Sequence, residues 1–326
     1  MKLFVTGGAG FIGSHFIRYI LDQYEDYEVI NFDALTYAGN LDNVSSIADS
    51  PRYQFVHGDI TNRAHIDQVM LTSSIDAVVH FAAESHVDRS IESPGKFVET
   101  NVIGTQNLLD CARLYGVGTF VHISTDEVYG TLPKEGYFTE ETPLAPNSPY
   151  AASKASADMF VRAYYETYGM DTRITRCSNN YGPNQYREKL IPVTILRALD
   201  GLPIPLYGDG QNVRDWLHVH DHCTAIDAVL HKAKPGSVYN IGSNNEWNNI
   251  DLVEKILDYL EVPRNQIARV TDRLGHDRRY AIDASRIKGE LGWQPMHTFE
   301  EGLKETIDWF TEKHRTASQM SQSYGN

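Results

Sequence analysis

The sequence predicts an α/β fold, a doubly wound parallel sheet (Rossmann) with a smaller C-terminal α/β lobe. The first observation is a strand, a glycine-rich turn and a helix within residues 2–21. The second is the alternation of apolar runs with helical patterns up to about residue 180, which is typical of right-handed βαβ crossovers. The third is a change of pattern beyond residue 183, where strands and helices no longer alternate regularly.

Size and charge limit the function classes. The 326 residues suffice for one large α/β unit and a lobe. A formal net charge of -14 disfavours non-specific attraction to nucleic acid or to an anionic membrane. The cysteines, Cys111, Cys177 and Cys223, lack metal-ligand spacing and fit reduced thiols in a cytoplasmic protein, a catalytic thiol being the second interpretation. We expect no leader peptide and no membrane span.

The glycine turn follows the first strand, residues 2–6. Its sequence, Gly7-Gly8-Ala9-Gly10-Phe11-Ile12-Gly13, permits a tight turn and close approach to a pyrophosphate, and the helix N-terminus supplies N–H groups. A second strand, residues 27–32, ends at Asp33, where a carboxylate can bind both ribose hydroxyls. Because an acid there would repel a 2′-phosphate, the sequence favours NAD over NADP as the cofactor.

Two further strands supply candidate cofactor contacts. Residues 53–56 lead to Asp59 and Ile60. The Asp59 carboxylate could accept a hydrogen bond from an adenine amino group, and Ile60 could pack on the adenine ring. The alternative is that Asp59 is a simple turn aspartate. Residues 75–80 lead to Phe81-Ala82-Ala83, side chains that let a cofactor lie against the backbone, and then to a polar loop at 84–90. A helix over 94–115 and a strand over 119–123 complete this half of the sheet.

A hydroxyl and two adjacent carboxylates, Thr125, Asp126 and Glu127, follow the fifth strand. Because an α/β sheet presents ligands at the carboxyl ends of its strands, this stretch predicts a catalytic edge, with solvated loop polarity as the alternative.

The next helix is predicted to begin with Ser148 as N-cap and Pro149 in its first turn. Tyr150 and Lys154 then lie one turn apart on the same face. We expect the lysine ammonium to lower the pKa of the tyrosine, which could then take a proton from an alcohol as hydride leaves.

The rest of the chain predicts the lobe. A strand at 171–176 and a loop at 178–183 precede a helix at 190–199, a short segment at 203–208, a strand at 213–217 and helices near 224, 250 and 299. We predict a cofactor-binding domain at 1–180, to which segments near 213–240 return, a lobe at 181–313 and a polar, frayed tail at 314–326.

Two constellations outside the strand ends have competing interpretations. His218, His220 and His222 could form a metal site on one strand face, but Asp221 and His222 resemble a helix start, so structural histidines and no metal are predicted. The arginine-rich loop at 272–280 could be a solvated charge run. In an acidic protein, however, such a loop could also bind a diphosphate or a sugar, and we favour this second interpretation.

Taken together, these motifs closely resemble those of the dTDP-glucose 4,6-dehydratases, a family of extended short-chain dehydrogenase/reductases. The likeness runs to about residue 310, and its most discriminating element is the Thr-Asp-Glu triplet, which UDP-galactose 4-epimerases typically lack. The segments that carry it are Thr6-Gly-Gly-Ala-Gly-Phe-Ile-Gly-Ser14, Ala82-Ala-Glu-Ser-His-Val-Asp-Arg-Ser90, Ser124-Thr-Asp-Glu-Val-Tyr-Gly130, Tyr150-Ala-Ala-Ser-Lys154, Ser178-Asn-Asn-Tyr-Gly-Pro183, Arg214-Asp-Trp216 and Gly275-His-Asp-Arg-Arg-Tyr280.

The resemblance implies a reaction in which C4 of the sugar is oxidised, water leaves across C5 and C6, and hydride returns to C6. Tyr150, aided by Lys154, would deprotonate the C4 hydroxyl, and Thr125 would hydrogen-bond O4. Glu127 would take the C5 proton, while a protonated Asp126 gives its proton to the leaving C6 hydroxyl. Adjacent carboxylates in opposite protonation states require environments that separate their pKa values.

The resemblance also implies the binding residues and a homodimer formed by a four-helix bundle of residues 94–115 and 150–168. Arg214 would bind the diphosphate. NAD would contact Gly7, Gly10, Phe11, Ile12, Gly13, Asp33, Ala34, Leu35, Thr36, Asp59, Ile60, Phe81, Ala82, Ala83, Ser85, Thr100, Tyr150, Lys154 and Asn180. The sugar nucleotide, bound by the lobe, would contact Ser85, Thr125, Asn179, Lys189, Leu190, Pro205, Leu206, Tyr207, Arg214, Asn249, Asp272, Arg273 and His276.

Some positions depart from the family pattern, and alternatives stay open. Leu274 stands where proline is usual, residues 184–187 are less aromatic, and His220 replaces a frequent acid. A UDP- or CDP-linked hexose is the main alternative substrate, and a purine nucleotide is less favoured. A nucleotide-sugar 4-epimerase would need no acid pair, and a non-catalytic dinucleotide sensor would lack Tyr150 or Lys154.

Overall fold

The computed structural model describes residues 1–323. Its strands are β1 Lys2–Thr6, β2 Glu28–Asp33, β3 Tyr53–His57, β4 Ala77–His80, β5 Thr119–Thr125, β6 Thr172–Cys177, β7 Asn179–Tyr181, β8 Ile204–Tyr207, β9 Val213–His218, β10 Val238–Ile241, β11 Glu246–Asn248 and β12 Ile267–Val270. Its α-helices are α1 Phe11–Gln23, α2 Arg63–Thr72, α3 Val87–Glu92, α4 Pro94–Phe97, α5 Thr105–Leu114, α6 Pro149–Tyr168, α7 Leu190–Leu199, α8 Val219–Lys232, α9 Asn249–Tyr259, α10 Ser285–Leu291 and α11 Phe299–Ser323.

The central element is a seven-stranded sheet with the order β10-β6-β5-β4-β1-β2-β3. Every pairing in it is parallel. The strand order reverses between β1 and β4, the topological switch point at which such sheets bind ligands. The predicted doubly wound α/β fold is therefore confirmed.

Alternating side chains of the strands build a core on each face of the sheet. On β1, Leu3 and Val5 face a core shared with α1, α8 and α10, whereas Phe4 faces the core of α2, α5 and α6. This alternation follows from the two-residue period of a strand. Helices therefore cover both faces, and ligands can approach the sheet at the carboxyl ends of its strands.

The lobe is built around two smaller sheets and their own apolar clusters. One sheet has the order β11-β9-β7, and the other pairs β12 with β8. α7, α9 and α11 pack on these sheets through Ile195, Ile256 and Leu303. The chain returns to the large sheet at α8 and β10, whereas β9 stays in the three-stranded sheet.

The C-terminal segment differs from its prediction. Residues from 314 onward continue α11 to Ser323 instead of forming a frayed tail. His314 Nε2 forms a hydrogen bond with Asp200 Oδ1 at 2.7 Å, and the Thr316 hydroxyl donates to the Glu312 carbonyl at 2.9 Å. These bonds accommodate polar residues on an exposed helix. The part of the tail at 324–326 lies outside the described residues. Within residues 1–323, no helix combines the length and apolar character needed to cross a bilayer.

The helix predicted over 94–115 is continuous but not uniform. Between α4 and α5, the segment Val98–Gly104 has π-helical hydrogen bonding. Its buried Asn101 donates to the Glu84 carbonyl at 2.9 Å and to the Ser153 hydroxyl at 2.8 Å, and accepts from the Glu84 amide at 2.8 Å. One amide side chain thus joins the polar loop after β4 to α6, as π-helical turns often do at functional sites.

Candidate active site

A cavity of about 750 Å³ opens at the carboxyl ends of the parallel strands, next to the lobe. Most residues predicted for the site line it, although they come from distant parts of the chain. They are Gly7, Gly10, Phe11, Ile12, Gly13, Asp33, Ala34, Thr36, Asp59, Ile60, Phe81, Ala82, Ala83, Ser85, Thr100, Thr125, Asp126, Glu127, Tyr150, Lys154, Asn179, Asn180, Lys189, Leu190, Pro205, Tyr207, Arg214, Asn249, Arg273 and His276.

Three predicted residues, Leu35, Leu206 and Asp272, are not among those that line the cavity. Leu206 is 1% exposed and packs in the lobe core, because strand alternation turns it away from the side that Pro205 and Tyr207 face. Leu35 has a φ of 48°, and its backbone N–H donates to Asp33 at 2.8 Å. Asp272 accepts from His276 Nδ1 at 2.6 Å and thus positions a neighbour that does line the cavity.

The glycine turn leaves backbone close to any ligand above it. Gly7 has a φ of 70°, and a Cβ there would lie 2.6 Å from the Ala82 nitrogen. A Cβ on Gly13 would lie 2.4 Å from the Gly7 oxygen, so both positions require glycine. No side chain caps α1 at Gly10. Its first N–H groups therefore stay available to an anion.

Asp33 lies at the end of β2 and closes this part of the cavity. Its carboxylate accepts from the Ala9 amide at 2.9 Å and from the Leu35 amide at 2.8 Å. These bonds fix the carboxylate at the cavity wall while leaving lone pairs for hydroxyl donors. The arrangement fits the ribose-binding acid predicted from the sequence.

The catalytic triplet is held by the transition from β5 to a short 3₁₀ helix, Asp126–Tyr129. The Thr125 hydroxyl caps this helix by accepting from the Glu127 amide at 3.3 Å, and it lies 3.3 Å from Asp126 Oδ1. Gly130 ends the turn with a φ of 85°. Both carboxylates therefore line the cavity from one rigid turn.

The environments of the two carboxylates differ. Burial, the charge of Glu127 and that of Asp215 raise the pKa of Asp126 well above its ordinary value. Asp126 Oδ2 is buried without a hydrogen-bond partner in the described part of the chain, which suits a neutral acid. Burial also raises the pKa of Glu127, but Arg214, Lys189 and Arg273 oppose that rise. The acidic neighbours of Asp126 therefore favour its neutral form, whereas the cations near Glu127 favour its ionised form.

Tyr150 and Lys154 enter the cavity from α6, which begins as predicted. Ser148 caps it by accepting from the Ala151 amide at 3.1 Å, and Pro149 occupies the first turn. Lys154 donates to the Ile123 carbonyl at 2.7 Å, and burial lowers its pKa to about 8. Burial and the charge of Glu127 raise the pKa of Tyr150 well above its ordinary value. The predicted lowering of this pKa by Lys154 is therefore not found.

Cationic side chains form the lobe side of the cavity. The Arg214 guanidinium donates to the Val213 and Asp277 carbonyls at 2.7 and 3.0 Å and lies 4.2 Å from the centre of the Tyr280 ring. Lys189 donates to the Ser85 carbonyl at 3.0 Å, and Arg273 pairs with an acid, Asp88, at 2.9 Å. A diphosphate could meet three positive groups in an otherwise acidic protein.

Sequence reasoning missed the residues that support these cations. Asp277 and Tyr280 line the cavity, and the Tyr280 hydroxyl donates to the Asp277 carboxylate at 2.5 Å. Both lie in the loop singled out for its arginines, so the polar density of that loop was the available signal. Asp88 follows β4 within the predicted polar loop, but no local pattern shows that it faces Arg273 across 185 residues of chain.

Comparisons with known proteins agree with this geometry. A family model described as GDP-mannose 4,6 dehydratase matches residues 4–306. A dTDP-glucose 4,6-dehydratase of Xanthomonas campestris is 52% identical over 324 residues, which cover 94% of this chain and 92% of the relative.

Two solved structures are similar over nearly the whole chain. DesIV, a dTDP-glucose 4,6-dehydratase of Streptomyces venezuelae with NAD and dTDP bound, is 52% identical with a TM-score of 0.93, covering 96% of this chain and 97% of DesIV. A dTDP-glucose 4,6-dehydratase of Bacillus anthracis in complex with NAD is 56% identical with a TM-score of 0.91, covering 97% and 98%. By overall sequence, by fold and by the Thr-Asp-Glu turn, the chain belongs to the dTDP-glucose 4,6-dehydratase family.

Proposed function

We propose that this chain converts dTDP-glucose to dTDP-4-keto-6-deoxyglucose, using NAD as a cofactor that is regenerated in each turnover. The observation that carries the proposal is the adjacent pair Asp126 and Glu127, which line one cavity from a single turn and face different charges. An elimination of water needs one acid and one base, and groups with separated pKa values can serve both roles. The relatives' names support the same reaction.

The cavity fits NAD on the features described above. The glycine turn and the uncapped start of α1 would hold the pyrophosphate, Asp33 the ribose, and Asp59 and Ile60 the adenine. When bound, NAD supplies a cationic ring that accepts hydride from C4, favours the Tyr150 phenolate and, once reduced, returns hydride to C6. Tyr150 and Lys154 line the same cavity as the acid pair, and the Tyr150 side chain hydrogen-bonds Thr125.

The chain's own residues move the protons. Tyr150 takes the C4 hydroxyl proton, and Thr125 orients O4 by hydrogen bonding. The resulting ketone acidifies the C5 proton, which Glu127 removes because nearby cations favour its ionised form. Asp126, kept neutral by burial and by its acidic neighbours, protonates the leaving C6 hydroxyl. Glu127 then returns a proton to C5.

Arg214, Lys189 and Arg273 would bind the diphosphate, and the base would lie near Leu190, Pro205 and Tyr207. A UDP- or CDP-linked hexose remains the second candidate, since no side chain in this region selects thymine over uracil by itself. A 4-epimerase is disfavoured because it needs neither Asp126 nor Glu127.

We also propose a homodimer formed through α5, α6 and the π-helical turn. Val98, Ile103 and Met159 are 50%, 49% and 46% exposed, and Phe160 is 39% exposed. Apolar side chains on two neighbouring helices are typical of an interface. The buried free cysteines and the acidic charge support a reducing, cytoplasmic location without nucleic-acid or membrane partners.

The test is incubation of the purified protein with dTDP-glucose and, separately, with UDP-glucose, without added reductant. We expect loss of one water and a 4-keto-6-deoxy product from dTDP-glucose, detected by mass and by alkaline absorbance. Water loss from UDP-glucose alone would reassign the nucleotide. An epimer of unchanged mass would contradict the roles of Asp126 and Glu127.

A further inference from the structure

We propose that His218, His297 and Glu305 form a binding site for one divalent transition-metal ion, for which Zn²⁺ is the best match. The three side chains come from the end of β9, the loop before α11 and α11 itself. Their candidate ligand atoms all lie within 4.8 Å of one another. None of them lines the active-site cavity, so the site is separate from the proposed reaction.

His218 is the buried member of the set. Its side chain is 4% exposed, and neither ring nitrogen has a hydrogen-bond partner in the part of the chain that the structure describes. Its Nε2 lies 3.6 Å from Glu305 Oε2, and its ring lies 4.2 Å from that of His297. Buried polar atoms are almost always paired, so the unpaired Nε2, which lies close to Glu305, points to a missing partner.

His297 is held in the orientation that a metal requires. Its Nδ1 lies 2.8 Å from Asp221 Oδ1, and its backbone N–H donates to Asp221 Oδ2 at 3.0 Å. Because the buried carboxylate accepts from Nδ1, the lone pair of His297 resides on Nε2. A carboxylate that fixes the tautomer of a histidine is the usual outer-shell partner of a zinc ligand.

The geometry needs only small side-chain movements. Tetrahedral Zn²⁺ with bonds of about 2.0–2.2 Å places its ligand atoms roughly 3.3–3.6 Å apart. The 3.6 Å approach of His218 to Glu305 is close to that spacing. Glu305 is 53% exposed, so its side chain can rotate towards the buried His218, while the bonds to Asp221 hold His297 in place. Water would complete the coordination.

His220 adds a second argument for the same place. Its Nδ1 is also buried without a partner among the described residues, and its ring lies 5.5 Å from that of His297. With His297 and Asp221 it forms an overlapping set of potential ligands. His297 belongs to both sets, so its substitution tests the site whichever neighbour completes it. A bound ion would join α11 to the junction of β9 and α8.

The experiment is calorimetric titration of the full-length protein with ZnCl₂ after chelator treatment and removal of the chelator. We expect one Zn²⁺ per chain, a rise in melting temperature with Zn²⁺, and visible absorption typical of tetrahedral coordination when Co²⁺ replaces it. His297→Ala should weaken binding about 100-fold or more, and Glu305→Gln at least about tenfold. His314→Ala, on the same helix but outside the cluster, should bind like the wild type.

Absence of stoichiometric binding in the wild type would overturn the proposal. The same holds if His297→Ala and Glu305→Gln both bind Zn²⁺ as the wild type does, because the ion would then occupy another place. Circular dichroism verifies that each variant is folded. If His297→Ala does not fold, Glu305→Gln, which changes a largely exposed side chain, decides the question.

Discussion

Asp126 and Glu127 are adjacent in the sequence, yet they face different charges. Asp126 is 1% exposed and lies near Asp215, whereas Glu127 is influenced by Arg214, Lys189 and Arg273. Side-chain directions along the 3₁₀ turn create this difference. The residues themselves therefore predict the pair, whereas the assignment of the proton to Asp126 came only from the family resemblance and not from any local pattern.

Substitution of the proposed base separates the oxidation from the elimination. Glu127→Gln leaves Tyr150 and Lys154 intact, so we expect enzyme-bound NADH to form with dTDP-glucose, while product formation falls by about 10²–10⁴-fold. Tyr150→Phe should abolish both signals. Absorbance of NADH in rapid mixing and mass analysis of the product measure the two steps.

The control is Glu135→Gln, which removes an exposed carboxylate in the following loop and should leave both steps unchanged. Near-native dehydration by Glu127→Gln would show that another group removes the C5 proton.

The cations around Glu127 predict a pH effect with a definite sign. Lys189→Met removes a positive charge that lowers the pKa of Glu127, so this pKa should rise. The base must be ionised, and the acidic limb of the kcat profile should consequently move to higher pH. Steady-state rates at saturating substrate across the acidic range measure the shift. Lys255→Met, at a surface ion pair with Glu300, serves as control. An unmoved limb would exclude Glu127 as the group that titrates there.

For helix α6, the sequence predicted the start and the reactive face but not the buried ion pair. Ser148, Pro149 and the spacing of Tyr150 and Lys154 predicted its start and its reactive face correctly. The same face, one turn beyond Lys154, carries Asp158, which is fully buried and accepts from Arg176 on β6 at 2.9 Å. No local pattern distinguishes this carboxylate from a solvated one, because its partner lies 18 residues away on another element.

The buried pair makes α6 sensitive to a single change. Asp158→Asn would leave the Arg176 guanidinium buried without its counter-ion, and we expect a loss of about 3 kcal/mol in the free energy of unfolding. Urea denaturation of the purified variant measures this loss. Glu166→Gln breaks the exposed pair with Arg162 on the same helix and should cost no more than about 0.5 kcal/mol. Equal effects of the two substitutions would refute the buried-pair argument.

At the scale of the whole molecule, alternating strands and helices were enough to predict the sheet, whereas the family was identified from the resemblance of the motifs. A helix near residue 299 was predicted, but its continuation from residue 314 onward was not, because Thr316 and its polar neighbours carry no apolar stripe. The resemblance placed Leu206 among the substrate contacts, but the pairing of its short strand with β12 leaves it in the lobe core. These errors concern pairing between distant segments, which local periodicity does not encode.

The proposed dimer gives a prediction at the same scale. Phe160→Glu should place a charge in the interface and reduce the mass in solution from twice to once the 36.8 kDa of the chain. Light scattering after size exclusion measures the mass. Leu71→Glu, at a side chain that is 71% exposed on α2, should leave the dimer intact. A wild-type protein of 36.8 kDa would contradict the dimer itself.

The placement of the cations has a kinetic consequence. The chain carries a net charge of -14, while Arg214, Lys189 and Arg273 lie within the cavity. At physiological salt a charge is screened over about 8 Å, so an approaching anion experiences the acidic surface first and the cations only at the mouth. A small dianion can enter far enough to be captured, whereas an extended polyanion is repelled along its length. The charge pattern thus favours entry of compact anions over extended ones, before the cavity contacts the base or the sugar of the ligand.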